Sequence, residues 1–376
     1  MKIAVNTRFL LKNKLEGIGW FTYETLKRIT QQHPEHEFIF LFDRPYAAEF
    51  IFSSNVTGRV IYPPARHPFL WFWWFEQAVP AALKKIKPDL FLSTDGYLSL
   101  ACKVPQVTVM HDLAFEHFPD HVNALTAWYY RYFTPKFAKK AKRIATVSEY
   151  SKQDIIKLYD VAPGKIDVVH NGSNELFQPL GDEEKTKVRQ QFTGGCPYFI
   201  YAGALQPRKN IINLFLAFDQ FKKNKSCNAR LVMAGRNWSY RDAMKVHQAM
   251  QFRDDVVFPG HLTRADLSRL LGAAEALVYV SLFEGFGIPI VEAMYCDVPV
   301  ITSNISSMPE VAGEAGLFVD PYSISDIAEK MQLLFGNEEL KLKLVQKGQL
   351  QRRQFTWQRT AEQLWECIIK TAQSDV

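Results

Sequence analysis

The sequence predicts an α/β protein of two successive doubly wound, Rossmann-like domains that face a common cleft. Three observations carry that expectation. Apolar strand-like runs alternate with helical stretches along the chain, the pattern of parallel sheets covered on both faces. The series halts at a polar segment, 178–195, and then begins again. The 376 residues, 47% hydrophobic and 22% charged, suffice for two packed cores and are too apolar for disorder.

In order, the first series predicts strands at 2–9, 37–43, 89–93, 106–111, 143–148 and 166–170, with helices at 20–32, 75–85, 122–141 and 150–158. These make a first domain over 1–178. The segment 178–195, with Pro179 and the pair Gly194-Gly195, reads as a linker and surface helix. The second domain, 179–356, has predicted strands at 198–203, 230–235, 256–258, 276–281, 299–303 and 317–319. Beyond it, Ala361, Leu364, Trp365 and Ile368 fall at helical spacing. This amphipathic segment, 357–376, is expected to return to the first domain.

Charge and cysteine usage narrow the class. A net charge of +6 is mildly basic; it suits an anionic small ligand or an acidic lipid surface and does not indicate a nucleic-acid binder. The five cysteines are far apart, with no CxxC pair, and read as reduced core thiols rather than a disulfide or zinc framework. The chain opens directly on a strand with no signal peptide ahead of it, so a cytoplasmic protein is expected. No apolar run approaches the roughly 20 residues that cross a bilayer.

The strongest chemical signal is Phe283-Glu284-Gly285-Phe286-Gly287-Ile288-Pro289-Ile290-Val291-Glu292, which follows an apolar strand and opens a helix. Its glycines let a ligand approach the backbone, and the amides of a new helix can hold a diphosphate. Carboxylates beside an anion site are unfavourable unless they accept hydrogen bonds from hydroxyls, as a sugar and a ribose would supply. A second strand-to-helix turn, Gly203-Ala-Leu-Gln-Pro-Arg208-Lys209-Asn210, sets two cations at a strand's carboxyl end. They can neutralise a pyrophosphate, and Asn210 can cap the next helix. In the first domain, Glu16-Gly17-Ile18-Gly19 reads equally as a phosphate approach and as a tight turn. His111-Asp112 ends a strand on the cleft side. His111 reads either as a donor to a sugar hydroxyl or phosphate or as a satisfied buried histidine; Asp112 would orient it or line the acceptor side.

With Val147-Ser148-Glu149-Tyr150-Ser151 and His170-Asn171-Gly172, these motifs resemble the retaining GT-B glycosyltransferases of family GT4 over essentially the whole length. The resemblance implies a GT-B fold with a nucleotide-sugar donor in the C-terminal domain. Arg208 and Lys209 would bind the diphosphate and its leaving-group charge, Glu284 the donor sugar's hydroxyls, and Glu292 the ribose. Gly203 and the backbone at Phe286, Gly287 and Ile288 would complete the donor site, with Gly17, Gly19 and His111 opposite. Asp112 and Asn171 are the acceptor-side candidates. The family retains anomeric configuration and needs no metal or other cofactor; no Asp-x-Asp signature occurs here. The combination of Gly-Ile-Gly with His111-Asp112-Leu113-Ala114-Phe115 and Phe118-Pro119 is most similar to the mannosyltransferase-like branch of surface polysaccharide synthesis. GDP-mannose is therefore the expected donor, and a glycan or lipid-linked molecule the acceptor. The other readings are a non-catalytic nucleotide-sugar-binding protein on the same scaffold, or an epimerase; the lysine environment of a pyridoxal phosphorylase is not identified.

Two first-domain stretches combine aromatics with cations, from Arg66 through Trp71–Phe75 to Lys87 and from Trp128 to Arg143. They fit peripheral contact with an anionic membrane at its cytoplasmic face. The alternative is that the rings are core and the lysines solvated, and most of Trp71–Phe75 is expected to be core.

Overall fold

A computed structural model describes all residues except 236–239, 261 and 374–376. The chain divides into two compact units, one of Met1–Asn171 plus the chain from Trp357 onward, the other of Gly172–Thr356.

The first unit holds β1 (Lys2–Asn6), β2 (Glu37–Phe42), β3 (Val56–Val60), β4 (Leu90–Ser93), β5 (Gln106–Met110), β6 (Arg143–Thr146) and β7 (Ile166–Val168). They pair in parallel in the order β3-β2-β1-β4-β5-β6-β7. The order reverses at β1 and β4, so the crevice beyond their carboxyl ends is the place such a sheet offers a ligand. Strand β3 was not expected; its sequence, VTGRV, alternates exposed and covered positions at the sheet edge and lacks an apolar run. Strand β1 stops at Asn6, short of residue 9. There the chain turns its polar side chains inward: Asn6 Nδ2 donates to Ser93 Oγ at 2.9 Å and Asp95 Oδ2 at 2.8 Å, and Arg8 Nε donates to Asp95 Oδ2 at 2.5 Å.

The helix Trp357–Gln373 packs on this unit, burying Ala361, Leu364 and Ile368. Trp365 stacks on His33 at 3.9 Å, Gln32 Nε2 donates to Gln358 Oε1 at 2.8 Å, and Thr360 Oγ1 donates to the His170 carbonyl at 2.7 Å. The last three residues of the segment expected here, 374–376, lie outside the described residues.

The second unit holds β8 (Tyr198–Ala202), β9 (Arg230–Ala234), β10 (Val256–Val257), β11 (Ala276–Tyr279), β12 (Val300–Ser303) and β13 (Gly316–Val319), all parallel, in the order β10-β9-β8-β11-β12-β13. Its order reverses at β8 and β11. The surface helix Asp182–Thr193 lies within the polar segment read from the sequence. The units divide at Asn171/Gly172 rather than near 178 because the intervening residues are tied to the second unit: Phe177 is buried, and Ser268 Oγ donates to the Leu176 carbonyl at 2.5 Å.

Candidate active site

The reversal between β8 and β11 brings two loops of the second unit side by side. Leaving β8, the chain passes through Gly203 at φ 148° and a short turn, Pro207–Lys209, to Asn210 at φ 60°. Gly203's carbonyl lies so near the next strand end that a Cβ on Gly235 would sit 2.0 Å from it, so a glycine is required there. Asn210 occupies the N-cap position of the Ile211–Asn224 helix, but its side chain makes no cap bond. Its amide instead donates to the Val280 and Pro321 carbonyls at 3.0 and 2.7 Å, fastening the ends of neighbouring strands. That corrects the expected cap.

Leaving β11, the chain delivers Glu284 to the two cations. Lys209 Nζ donates to Glu284 Oε1 at 2.5 Å and Arg208 Nη1 donates to Oε2 at 3.1 Å. Tyr279 at the end of β11 joins them, accepting from Lys209 Nζ at 2.9 Å and donating to Glu284 Oε1 at 2.9 Å. The Glu284 backbone is clamped by two hydroxyls: its N–H donates to Ser306 Oγ, and its carbonyl accepts from Ser306 and Ser307 Oγ at 2.8 and 2.9 Å.

Burial alone would hold Glu284 protonated, but Lys209 and then Arg208 outweigh it and bring the carboxyl down to about 2. Two cations on one carboxylate leave the cluster a formal positive charge in a poorly solvated place. An anion arriving there is favoured.

The Ile288–Tyr295 helix starts next to this cluster, with Gly287 at φ 104° as its N-cap and Pro289 in its first turn. The positive end of its peptide dipole adds to the anion site. Phe286 turns its ring away, edge-on to Phe355 at 5.4 Å, so the backbone is its contribution here. One turn along, Glu292 is buried with Arg264, whose Nη2 donates to Glu292 Oε1 at 3.1 Å. Burial pushes this carboxyl up to about 7 despite Arg264. The guanidinium also lies 5.6 Å from the Phe177 ring centroid.

In the first unit, His111 follows β5 immediately. Its Nε2–H donates to the Thr94 carbonyl at 2.9 Å, and its ring stands edge-on to Phe21 at 5.0 Å. Burial lowers its pKa, which favours the neutral ring, and Nδ1 is then an acceptor. Of the two readings of His111, this geometry matches the satisfied buried histidine, because the one N–H of the neutral ring is already committed. Asp112 does not orient the ring by hydrogen bonding; its Oδ1 accepts from Ala114 N at 3.0 Å.

Gly17 opens the Gly17–Gln32 helix with nothing within 4 Å of where a Cβ would stand. At Gly19 a Cβ would meet the Phe9 carbonyl at 2.9 Å, so close packing accounts for that glycine. Asn171 is buried where the chain leaves the first unit, and among the described residues its Oδ1 has no hydrogen-bond partner.

Sequence reasoning missed Tyr279, Ser306, Ser307 and Arg264. Tyr279 reads as one more core residue of an apolar strand. Arg264 opens a helix remote in sequence from Glu292, and nothing local marks it.

Residues 182–351 match the family model of the glycosyl transferases group 1, and residues 15–175 that of glycosyltransferase family 4. The chain is 32% identical to the O-antigen chain mannosyltransferase RfbU of Salmonella typhimurium over 71% of each chain. It is a family 4 glycosyltransferase. This transferase is also 28% identical to O-antigen chain mannosyltransferase B of Escherichia coli, over 96% of its own length and 98% of the relative's. Its fold matches that of Anabaena Alr3699/HepE, solved in complex with UDP-glucose, with a TM-score of 0.76, 18% identity, and 98% and 100% of the two chains covered. At that identity the likeness concerns the GT-B fold alone.

Proposed function

We propose that this family 4 transferase moves mannose from GDP-mannose, with retention and without a metal, to a glycan or lipid-linked acceptor in surface polysaccharide synthesis. The observation that carries the reading is the cluster of Arg208, Lys209, Tyr279 and Glu284 beside the start of the Ile288–Tyr295 helix. Its two cations suit a leaving diphosphate, supplying electrostatic stabilisation of the kind a divalent ion supplies elsewhere. The arriving phosphates would compete with Glu284 for Lys209 and Arg208, freeing the carboxylate to accept from sugar hydroxyls. Glu292 would accept from the ribose diol.

In this front-face reaction the bond from the anomeric carbon to the diphosphate oxygen breaks. The acceptor hydroxyl adds on the same face and passes its proton to the departing phosphate. The departing phosphate takes that proton, so Glu284 serves as a binder of sugar hydroxyls and not as a base. His111 Nδ1 would accept from a donor-sugar hydroxyl, Gly17 would belong with it to the donor side, and Asp112 and Asn171 to the acceptor side. The names of the two bacterial relatives support the mannosyl and polysaccharide parts of this reading. Five free cysteines support a reducing, cytoplasmic setting.

The test is a thermal-shift panel of GDP-mannose, UDP-glucose, UDP-galactose and GDP, followed by transfer assays in EDTA with NMR of the product's anomeric proton. GDP-mannose should give the largest rise in melting temperature, and transfer should survive EDTA with the α-configuration kept. A larger shift with a UDP-sugar, loss of turnover in EDTA, or a β-linked product would each remove that part of the proposal.

A further inference from the structure

The reversal between β1 and β4 is closed by polar side chains where apolar ones would pack as well. Asn6, Arg8, Ser93, Thr94 and Asp95 are each no more than 7% exposed. Asp95 Oδ2 accepts from Asn6 and Arg8, and its Oδ1 accepts from Ser93 Oγ at 3.0 Å and from the Tyr97 N–H at 3.3 Å. The Arg8 guanidinium lies 4.1 Å from the Tyr97 ring centroid. A buried ion pair adds little stability over well-packed apolar residues of the same volume. What it adds here is geometry: with four donors on its carboxylate, Asp95 and its peptide link to Thr94 have one orientation.

Thr94 uses both of its oxygens. Its carbonyl, part of that peptide link, accepts from His111 Nε2–H at 2.9 Å. Its hydroxyl lies 2.7 Å from Thr22 Oγ1, and the Asn6 carbonyl is a more distant partner at 3.5 Å. Thr22 spends its own proton on the Ile18 carbonyl at 2.8 Å, so Thr94 is the donor between the two threonines. Thr22 follows Phe21 on the Gly17–Gln32 helix, and the Phe21 ring meets His111 edge-on at 5.0 Å. The turn after β4 and the first helix of the chain therefore close together on one imidazole.

We infer that Thr94 is a positioning residue for His111. Tethered to Thr22 through its hydroxyl and to Asp95 through its peptide link, it presents a fixed carbonyl that keeps the imidazole proton on Nε2 and leaves Nδ1 an acceptor. The inference rests on the reading of His111 as a contact of a donor-sugar hydroxyl. A hydroxyl always brings a proton, so a fixed acceptor is a partner it can meet in one geometry. A ring free to move its proton to Nδ1 would offer the sugar a donor instead, at an orientation no longer set. Misplacement of a substrate contact on that scale slows the chemical step.

The experiment is NMR of the imidazole nitrogens in the full, ligand-free chain, with His111 assigned by its absence from the His111→Asn spectrum, beside steady-state release of GDP from GDP-mannose. Wild type should show a single His111 tautomer with Nδ1 unprotonated. Thr94→Val removes the hydroxyl at nearly constant shape. It should move the Nδ1 resonance part-way to its protonated position and lower kcat about tenfold. Donor KM should change less than about twofold, because the diphosphate is held in the second unit. Thr94→Ser should restore both readouts. Thr22→Val breaks the same bond from its other end and should match Thr94→Val, and the double variant should be no worse than either single one. A residue that only supported the fold would lower the melting temperature and leave the tautomer alone. If one valine variant does not fold, the other carries the test. A mixed tautomer in wild type, a tautomer unmoved by both valine substitutions, losses that multiply in the double variant, or a moved tautomer with unchanged kcat would overturn the inference. Absence of GDP release by wild type would instead remove the proposed donor, and the imidazole spectra would still decide whether Thr94 holds the ring.

Discussion

Glu284 and Glu292 stand eight residues apart and are equally buried, yet their environments drive them in opposite directions. Glu284 has Lys209, Arg208 and Tyr279 on its two oxygens, and the two cations hold its carboxyl down at about 2. Glu292 has one partly exposed guanidinium on one oxygen, and burial pushes its carboxyl up to about 7. Burial is common to both, so the number and closeness of cations decides. The lesson is that the two glutamates of one motif are not equivalent: one is locked into a charged cluster, while the other is held at an energetic cost that a bound ligand could relieve.

The largest effect should come from Glu284→Gln. Initial rates of transfer should fall by on the order of 100-fold, the scale of losing one preorganised electrostatic contact. Denaturant titration should show about 3 kcal/mol less stability, because two cations lose their counter-charge. The stability Glu284 contributes is present above its ordinary value of 4.5 and is lost as pH falls towards about 2. Normal activity in this variant would remove Glu284 from the site.

Glu292→Gln should do the reverse to stability. The folded state binds the Glu292 proton more tightly than the unfolded chain does. Ionisation therefore costs folding energy progressively between pH 4.5 and about 7, with the full cost present above that. The variant should be more stable at pH 8, by at most ~3 kcal/mol, and indistinguishable from wild type near pH 4. Its donor KM should rise meanwhile. Melting curves across this range that run parallel would refute the environment assigned to Glu292.

Arg264→Met should be milder. Without the one cation that meets it among the described residues, Glu292 should be pushed higher still, raising donor KM several-fold at pH 7 and less at pH 9. Arg264→Lys should restore most of it, which a merely structural role at the helix start would not require. The smallest effect is expected from Gly287→Ala. An alanine at φ 104° is strained by about 1–2 kcal/mol, and its Cβ would lie 3.1 Å from Ile290 Cδ1. Because Gly287 lies between the two glutamates, both KM and kcat should shift, and a change in only one would show that the two carboxylates are positioned independently.

Much of this was legible in the sequence, for definite reasons. Parallel strands buried on both faces are apolar runs, so β2, β8 and β11 stand out, and the motifs after β8 and β11 lie where the sheet order reverses. What escaped lacked a local signature. Strand β3 is a polar edge, and Arg8 looks like part of a strand until Asp95, far along the chain, draws it inward. The Ile324–Leu334 and Glu338–Gln351 helices were not read, although both have asparagine or serine N-caps. The tautomer of His111 depends on a carbonyl 17 residues away.

The return of the Trp357–Gln373 helix to the first unit has a consequence for synthesis. A ribosome makes the entire second unit before it delivers the helix that completes the first. Until then the nascent first unit shows solvent the apolar surface that Leu364 and Ile368 later cover, and His33 lacks the indole of Trp365. The two units therefore mature in the opposite order to their appearance in the chain, and termination directly after Thr356 would strand the earlier unit unfinished while leaving every residue of the later one translated.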